Sequence, residues 1–126
     1  MQVLRLSVER SGTVLAERAE VAASLLSRMV GLLGRPGLAP GEALVIPRCQ
    51  SIHMCGMRFP IDAVFVDRAW RVVAHYEDLR PWRLTRLVRS AWAVIELPAG
   101  TVRKAGLERG DQLHVRPMPD ASAARG

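Results

Sequence analysis

A chain of 126 residues, 49% hydrophobic and 24% charged, is long enough for one domain with a real apolar core, and its composition excludes a disordered or fibrous protein. Two cysteines exclude a secreted disulfide scaffold and suit a reducing compartment. The net charge of +6 admits a polyanionic partner, but 17 of the 18 basic residues are arginine and asparagine is absent. Codon bias in a GC-rich genome accounts for that skew as well as binding does.

The opening residues 1–10 lack the basic stretch and continuous apolar run of a secretory signal. No apolar run approaches the roughly 18 residues that a membrane-spanning helix needs. The expected location is the cytoplasm.

Residues 2–8 alternate as a strand, and Ser11-Gly12 turns the chain into a second short strand near 13–17. Ser24 then precedes Leu25, Leu26, Met29, Val30, Leu32 and Leu33, a spacing that predicts an amphipathic helix over about 22–34. Gly34, Pro36 and Gly37 end it. Strand patterns follow at 43–46, 51–55 and 61–66. Asp67-Arg68-Ala69-Trp70 connects the last of these to a strand over 71–76, so 61–76 reads as a hairpin. Beyond an arginine-rich connector, 91–97 is a further strand. Pro98 can open a helical turn over 99–105, closed by Gly106, and Arg109-Gly110-Asp111 turns into a final strand at 112–116. Many short strands with one long helix predict a compact, mainly β sandwich or barrel, jelly-roll-like, over 1–117. Residues 118–126 carry no apolar pattern and read as a flexible tail.

Several of these segments carry a shared signature. Arg28-Met29-Val30-Gly31-Leu32-Leu33-Gly34-Arg35, Phe59-Pro60-Ile61-Asp62-Ala63-Val64-Phe65-Val66-Asp67, Glu96-Leu97-Pro98-Ala99-Gly100 and Gly110-Asp111 resemble, in order and spacing, the domain-of-unknown-function 192 (DUF192) family. The resemblance covers about residues 14–115. It implies a compact β fold of the sandwich or jelly-roll kind and no established activity. His53-Met54-Cys55-Gly56-Met57 departs from the Trp-Met-Lys-Asn-Thr of many relatives and is similar to a His-containing branch. Roles tied to that Lys or Asn do not carry over.

The densest group of chemically capable residues lies between Cys49 and Asp62. On an extended strand Cys49, Ser51, His53, Cys55 and Met57 share one face, a sulfur- and imidazole-rich stripe suited to a soft metal such as zinc. Cys49 and Cys55 would stand roughly 20 Å apart on a straight strand, too far to share an ion or a disulfide. His53 and Cys55 are near enough, with further donors needed from Asp62, His75 or Glu96. Cys and Met are also ordinary core residues, and that reading outweighs a metal site. No metal or other cofactor is expected, with zinc a minor option at Cys49, His53 and Cys55. A nucleophilic Cys beside His53 is weaker still, because strand neighbours are poorly aimed at one another and no oxyanion-hole motif accompanies them.

Arg58 and Asp62 flank Phe59-Pro60-Ile61 and suit a charge pair that fixes the start of a strand. Glu96 interrupts an apolar strand, where alternation places it opposite Ile95 and Leu97, on the side of Val94 and Trp92. A carboxylate there requires a partner or becomes a site. Arg80, Arg83, Arg86 and Arg89, with Trp82 and Trp92 nearby, could hold single-stranded nucleic acid. Their period of three fits neither helix nor strand, and a solvated connector is favoured.

Together these features favour a non-enzymatic binding module for a small polar ligand or a protein segment. Its candidate site residues are His53, Cys55, Arg58, Asp62 and Glu96, bordering one pocket. The rivals are a metal- or thiol-dependent enzyme using Cys49, His53 or Cys55, and an accessory protein of a surface or secretion assembly anchored through Trp70 and Trp82.

Overall fold

A computed structural model of the chain describes residues 2–22, 37–51 and 59–119. Among them run β1 (Val3–Val8), β2 (Val14–Val21), β3 (Glu42–Pro47), β4 (Ile61–Val66), β5 (Val72–Leu79), β6 (Ala93–Pro98), the single-turn helix α1 (Thr101–Ala105) and β7 (Leu113–Met118). The helix expected over 22–34 and the strand expected over 51–55 fall almost wholly outside the described residues. Ala22, the first position of that helix, still donates its N–H to Val45 O at 2.8 Å and so prolongs the β2–β3 ladder.

All seven strands join one sheet in the order β5-β4-β6-β3-β2-β1-β7. Every pair is antiparallel except β2–β3, where Arg18 pairs with Glu42 and Val21 with Val45. A parallel pair cannot be closed by a hairpin, and residues 22–41 supply the crossover it requires. The two edge strands meet: Arg71 bridges Gln112, Val72 N–H donates to Asp111 O at 2.8 Å, and Leu113 N–H donates to Trp70 O at 3.0 Å. The sheet thus curls back on itself, the barrel form of the expected mainly β fold, and leaves few bare strand groups at that end.

Alternation along the strands sorts the side chains into two layers. Leu4, Leu6, Val8, Leu15, Val45, Val64, Val66, Ile95, Leu97, Val102 and Leu113 pack inside the curl. Ile46, Phe59, Ile61, Ala63, Phe65 and Val94 form a second core on the opposite face of β3, β4 and β6. Every residue of β4 is buried because both its faces are covered, which is why Ile61–Val66 reads as a nearly unbroken apolar run.

The turns expected at Gly12 and Gly110 are present, and both glycines have positive φ (73° and 93°). Pro98 closes β6 instead of opening the helix, which begins at Thr101 behind Gly100 in the left-handed conformation. The register carries β7 to Met118, opposite Val3.

Candidate binding site

Asp62 on β4 and Glu96 on β6, two neighbouring strands of the sheet, are fully buried, yet they face opposite ways. Glu96 lies across from Ala63 on β4 and Leu44 on β3, in the layer that contains Val94. Asp62 lies across from Leu97, one step along the register, and points the other way. The single pocket expected to hold both carboxylates is therefore not formed by them.

Asp62 has its oxygens committed to main-chain donors. Its Oδ1 accepts from Asp78 N–H at 2.8 Å, and its Oδ2 accepts from Gly100 N–H at 3.1 Å and Val102 N–H at 2.9 Å. Two of these are the donors that a short helix leaves unmatched at its start. The carboxylate thereby ties β4, β5 and α1 together from a place where water cannot compete.

Arg58, the expected partner of Asp62, lies outside the described residues, as do His53 and Cys55. Cys49 is buried in the second core, and its thiol donates to Ser51 O at 3.0 Å. Among the described residues no three His, Cys, Asp or Glu side chains gather into a group that could hold a metal ion. Trp92 does not share the face of Glu96. It sits one residue before β6 begins and packs against the inner layer, with its ring edge-on to Trp70 at 5.9 Å between centroids. Trp70 is thus half-buried in a ring pair and is not the exposed anchor expected of it, whereas Trp82 is 72% exposed.

A different set of side chains converges beside this tryptophan pair. Arg48 at the end of β3, Arg68 in the β4–β5 turn and Arg89 in the connector before β6 line an open cleft of about 710 Å³ with Gln50, Asp67, Ser90 and Trp92. The Asp67 Oδ1 is occupied by the turn, accepting from Ala69 N–H at 2.9 Å and Arg71 N–H at 3.0 Å. Gln50 is held at the rim by donating through Nε2 to Arg89 O at 2.8 Å. Two residues around the cleft, Arg48 (φ 55°) and Trp70 (φ 63°), occupy the left-handed region that side chains other than glycine seldom enter. Such conformations cost of order 1–3 kcal/mol and persist where the surroundings impose them. Arg48 and Trp92 also line a second, more apolar groove of about 820 Å³ with Leu4, Val45, Trp70, Leu113 and Pro117.

Sequence reasoning passed over Arg48 and Arg68 because nothing in their spacing connects them. The β3–β6 and β4–β6 pairings bring their segments together, with Pro47 and Val66 on either side of Ala93.

Comparison with known proteins gives the lineage. The chain is 28% identical over 120 residues to UPF0127 protein TK1120 of Thermococcus kodakarensis, spanning 92% of this chain and 76% of that one. It is 33% identical over 107 residues to a UPF0127 protein of Thermococcus gammatolerans, spanning 82% and 69%. Its fold is similar to the solved structure of a proposed transcription regulator from Sinorhizobium meliloti 1021, with a TM-score of 0.76 and 26% identity over 90% of this chain and 92% of the other. A protein of unknown function from Novosphingobium aromaticivorans shares the fold with a TM-score of 0.74 at 21% identity, over 89% and 83%. The family match runs over residues 6–115, so the chain belongs to the DUF192 family, described as "Uncharacterized ACR, COG1430".

Proposed function

We propose that this chain is a binding module for a small polar ligand bearing a carboxylate or phosphate group, seated among Arg48, Arg68 and Arg89. The observation that carries this reading is the convergence of three arginines, from three separate segments, on one cleft with a single carboxylate. A volume of about 710 Å³ lies within the range of small-molecule sites, and guanidinium groups match the planar fork of a carboxylate or phosphate. The strained backbone at Arg48 and Trp70 is a second support, since such residues cluster at ligand clamps. The groove beside Trp70 and Trp92 offers an apolar extension of the ligand a place next to the charged end.

The test is calorimetric titration of the purified chain with inorganic phosphate, pyrophosphate, citrate and a set of aryl carboxylates. At least one should bind, and Arg48→Gln should weaken it about tenfold or more at unchanged thermal stability, the loss expected for one charge-assisted contact. No binding by any of them, or equal binding by wild type and Arg48→Gln, would overturn the reading.

A further inference from the structure

We infer that the connector 80–91 is a docking surface for an anionic membrane interface. Among the described residues three large apolar side chains are strongly exposed: Trp82 at 72%, Leu84 at 73% and Leu87 at 58%. All three fall in this one connector, interleaved with the exposed Arg80, Arg83, Arg86 and Arg89. Scattered exposed apolar residues need no explanation, but their confinement to one short segment marks an interaction surface.

The segment is presented rather than frayed. Val88 N–H donates to Gln50 O at 2.7 Å, Arg86 N–H donates to the Tyr76 hydroxyl at 3.3 Å, and Arg83 N–H donates to Arg80 O at 3.2 Å. Thr85, between the two leucines, is buried against the body of the protein. These ties hold the backbone down while Trp82, Leu84 and Leu87 stay outside. Arg80 is engaged by Asp78 at 3.1 Å, which leaves Arg83, Arg86 and Arg89 to supply the positive field.

The chemistry of the three apolar groups selects the occupant. Single-stranded nucleic acid would be held by stacking, and this segment exposes one ring, since leucine has no π-face for a base. A lipid interface takes all three: tryptophan seats at the headgroup level, leucine enters the acyl boundary, and arginines flanking each apolar group meet anionic headgroups. The association is peripheral. No helix among the described residues is long and apolar enough to cross a membrane.

Flotation of the full chain with phosphatidylcholine vesicles, with and without phosphatidylglycerol, tests this. Binding is expected to the anionic vesicles, to weaken with salt, and to be slight on phosphatidylcholine alone. Arg83→Gln and Arg86→Gln should each weaken it roughly fivefold. Leu84→Ser/Leu87→Ser should weaken it at least tenfold, and Trp82 fluorescence, read against Trp82→Phe, should shift to the blue on binding. All five residues are exposed, so matching circular dichroism and melting curves will show the variants folded. No flotation with anionic vesicles, or flotation unchanged in Leu84→Ser/Leu87→Ser, overturns the proposal. Retention of a single-stranded oligonucleotide without vesicle binding overturns it in favour of nucleic acid. Arg89 also lines the small-anion cleft and is left unchanged in these variants, so anion binding, read through Arg48→Gln, is measured separately from vesicle binding.

Discussion

The carboxylate of Asp62 accepts the N–H of Val102 at 2.9 Å across 40 residues of chain, and this bond anchors α1 to β4, a strand with neighbours on both sides in the sheet. The same side chain accepts from Asp78 and Gly100, so three main-chain donors depend on one buried anion. Asp62→Ala would leave those donors without an acceptor, each at about 1–3 kcal/mol before relaxation. The expected loss of stability is on the order of 3–5 kcal/mol, seen as a lower urea midpoint at an unchanged slope. Asp62→Asn should also be destabilising, because its amide group would face donors where an acceptor is needed. A change below about 1 kcal/mol in both variants would show that other groups serve these N–H donors.

How far this site was legible follows from Asp62 and its neighbours. β4 was read at its observed bounds, Ile61–Val66, because a strand buried on both faces writes a short apolar run whatever surrounds it. The charge of Asp62 stood out in that run, but its acceptor role depends on Val102 and Gly100, which only the fold places beside it. β2 extends to Val21, beyond the short strand expected near 13–17, because pairing with β3 carries Arg18 and Glu20 along in strand conformation. Glu96 was placed correctly relative to Val94, Ile95 and Leu97. Trp92 was not, since alternation does not reach a residue lying before the strand. The arginine cleft was beyond reach: Arg48, Arg68 and Arg89 have no common period, and positive φ at Arg48 or Trp70 leaves no trace in residues other than glycine.

Trp70 and Trp92 meet edge to face at 76° between ring planes, in the geometry that aromatic quadrupoles favour. A double-mutant cycle with Trp70→Leu and Trp92→Leu should give a coupling of about 0.5–1.5 kcal/mol by chemical denaturation. Trp70→Leu keeps the strained φ of 63° while removing the ring, so the single change should be destabilising. Additive effects, with no coupling beyond error, would mean that the rings are neighbours without a specific interaction.

Arg10 holds Asp111 through Nε–Oδ1 and Nη2–Oδ2 contacts, both 3.0 Å, and Asp111 Oδ2 also accepts Glu108 N–H at 2.8 Å. The hydrogen bond from Arg10 is the main cause that holds the Asp111 carboxyl below its usual range. The Glu108 N–H and the Arg10 charge add to it, against an opposing contribution from burial. A carboxyl depressed in the folded state favours folding above its unfolded value near 3.9, and this benefit fades as pH falls through the folded value. Thermal stability of the wild type should therefore drop more steeply below about pH 4 than that of Asp111→Asn. Above that pH the variant should be the less stable of the two by about 1–2 kcal/mol. Parallel acid limbs in the two melting profiles would remove Asp111 from the acid sensitivity of the fold.

Gly110 stands at φ 93°, where its N–H donates to Val72 O at 2.8 Å and its carbonyl accepts from Arg71 Nη1 at 3.0 Å. It sits where the two edge strands of the sheet meet, next to the Arg71–Gln112 bridge. A Cβ built there would meet nothing within 4 Å, so a substitution is opposed by backbone conformation alone and not by crowding. Gly110→Ala should cost about 1–2 kcal/mol, and Gly110→Val more, since a branched side chain tolerates positive φ least. Asn enters the left-handed region more readily than other side chains, and Gly110→Asn should recover part of the loss. For a domain of this size each kcal/mol corresponds to a melting shift of about 3–6 °C, well within reach of a calorimetric series. The order Gly, Asn, Ala, Val in falling stability is the signature of backbone strain at the closure of the sheet. Equal melting temperatures across the four would show that this turn relaxes to another conformation and that the two edges do not depend on it.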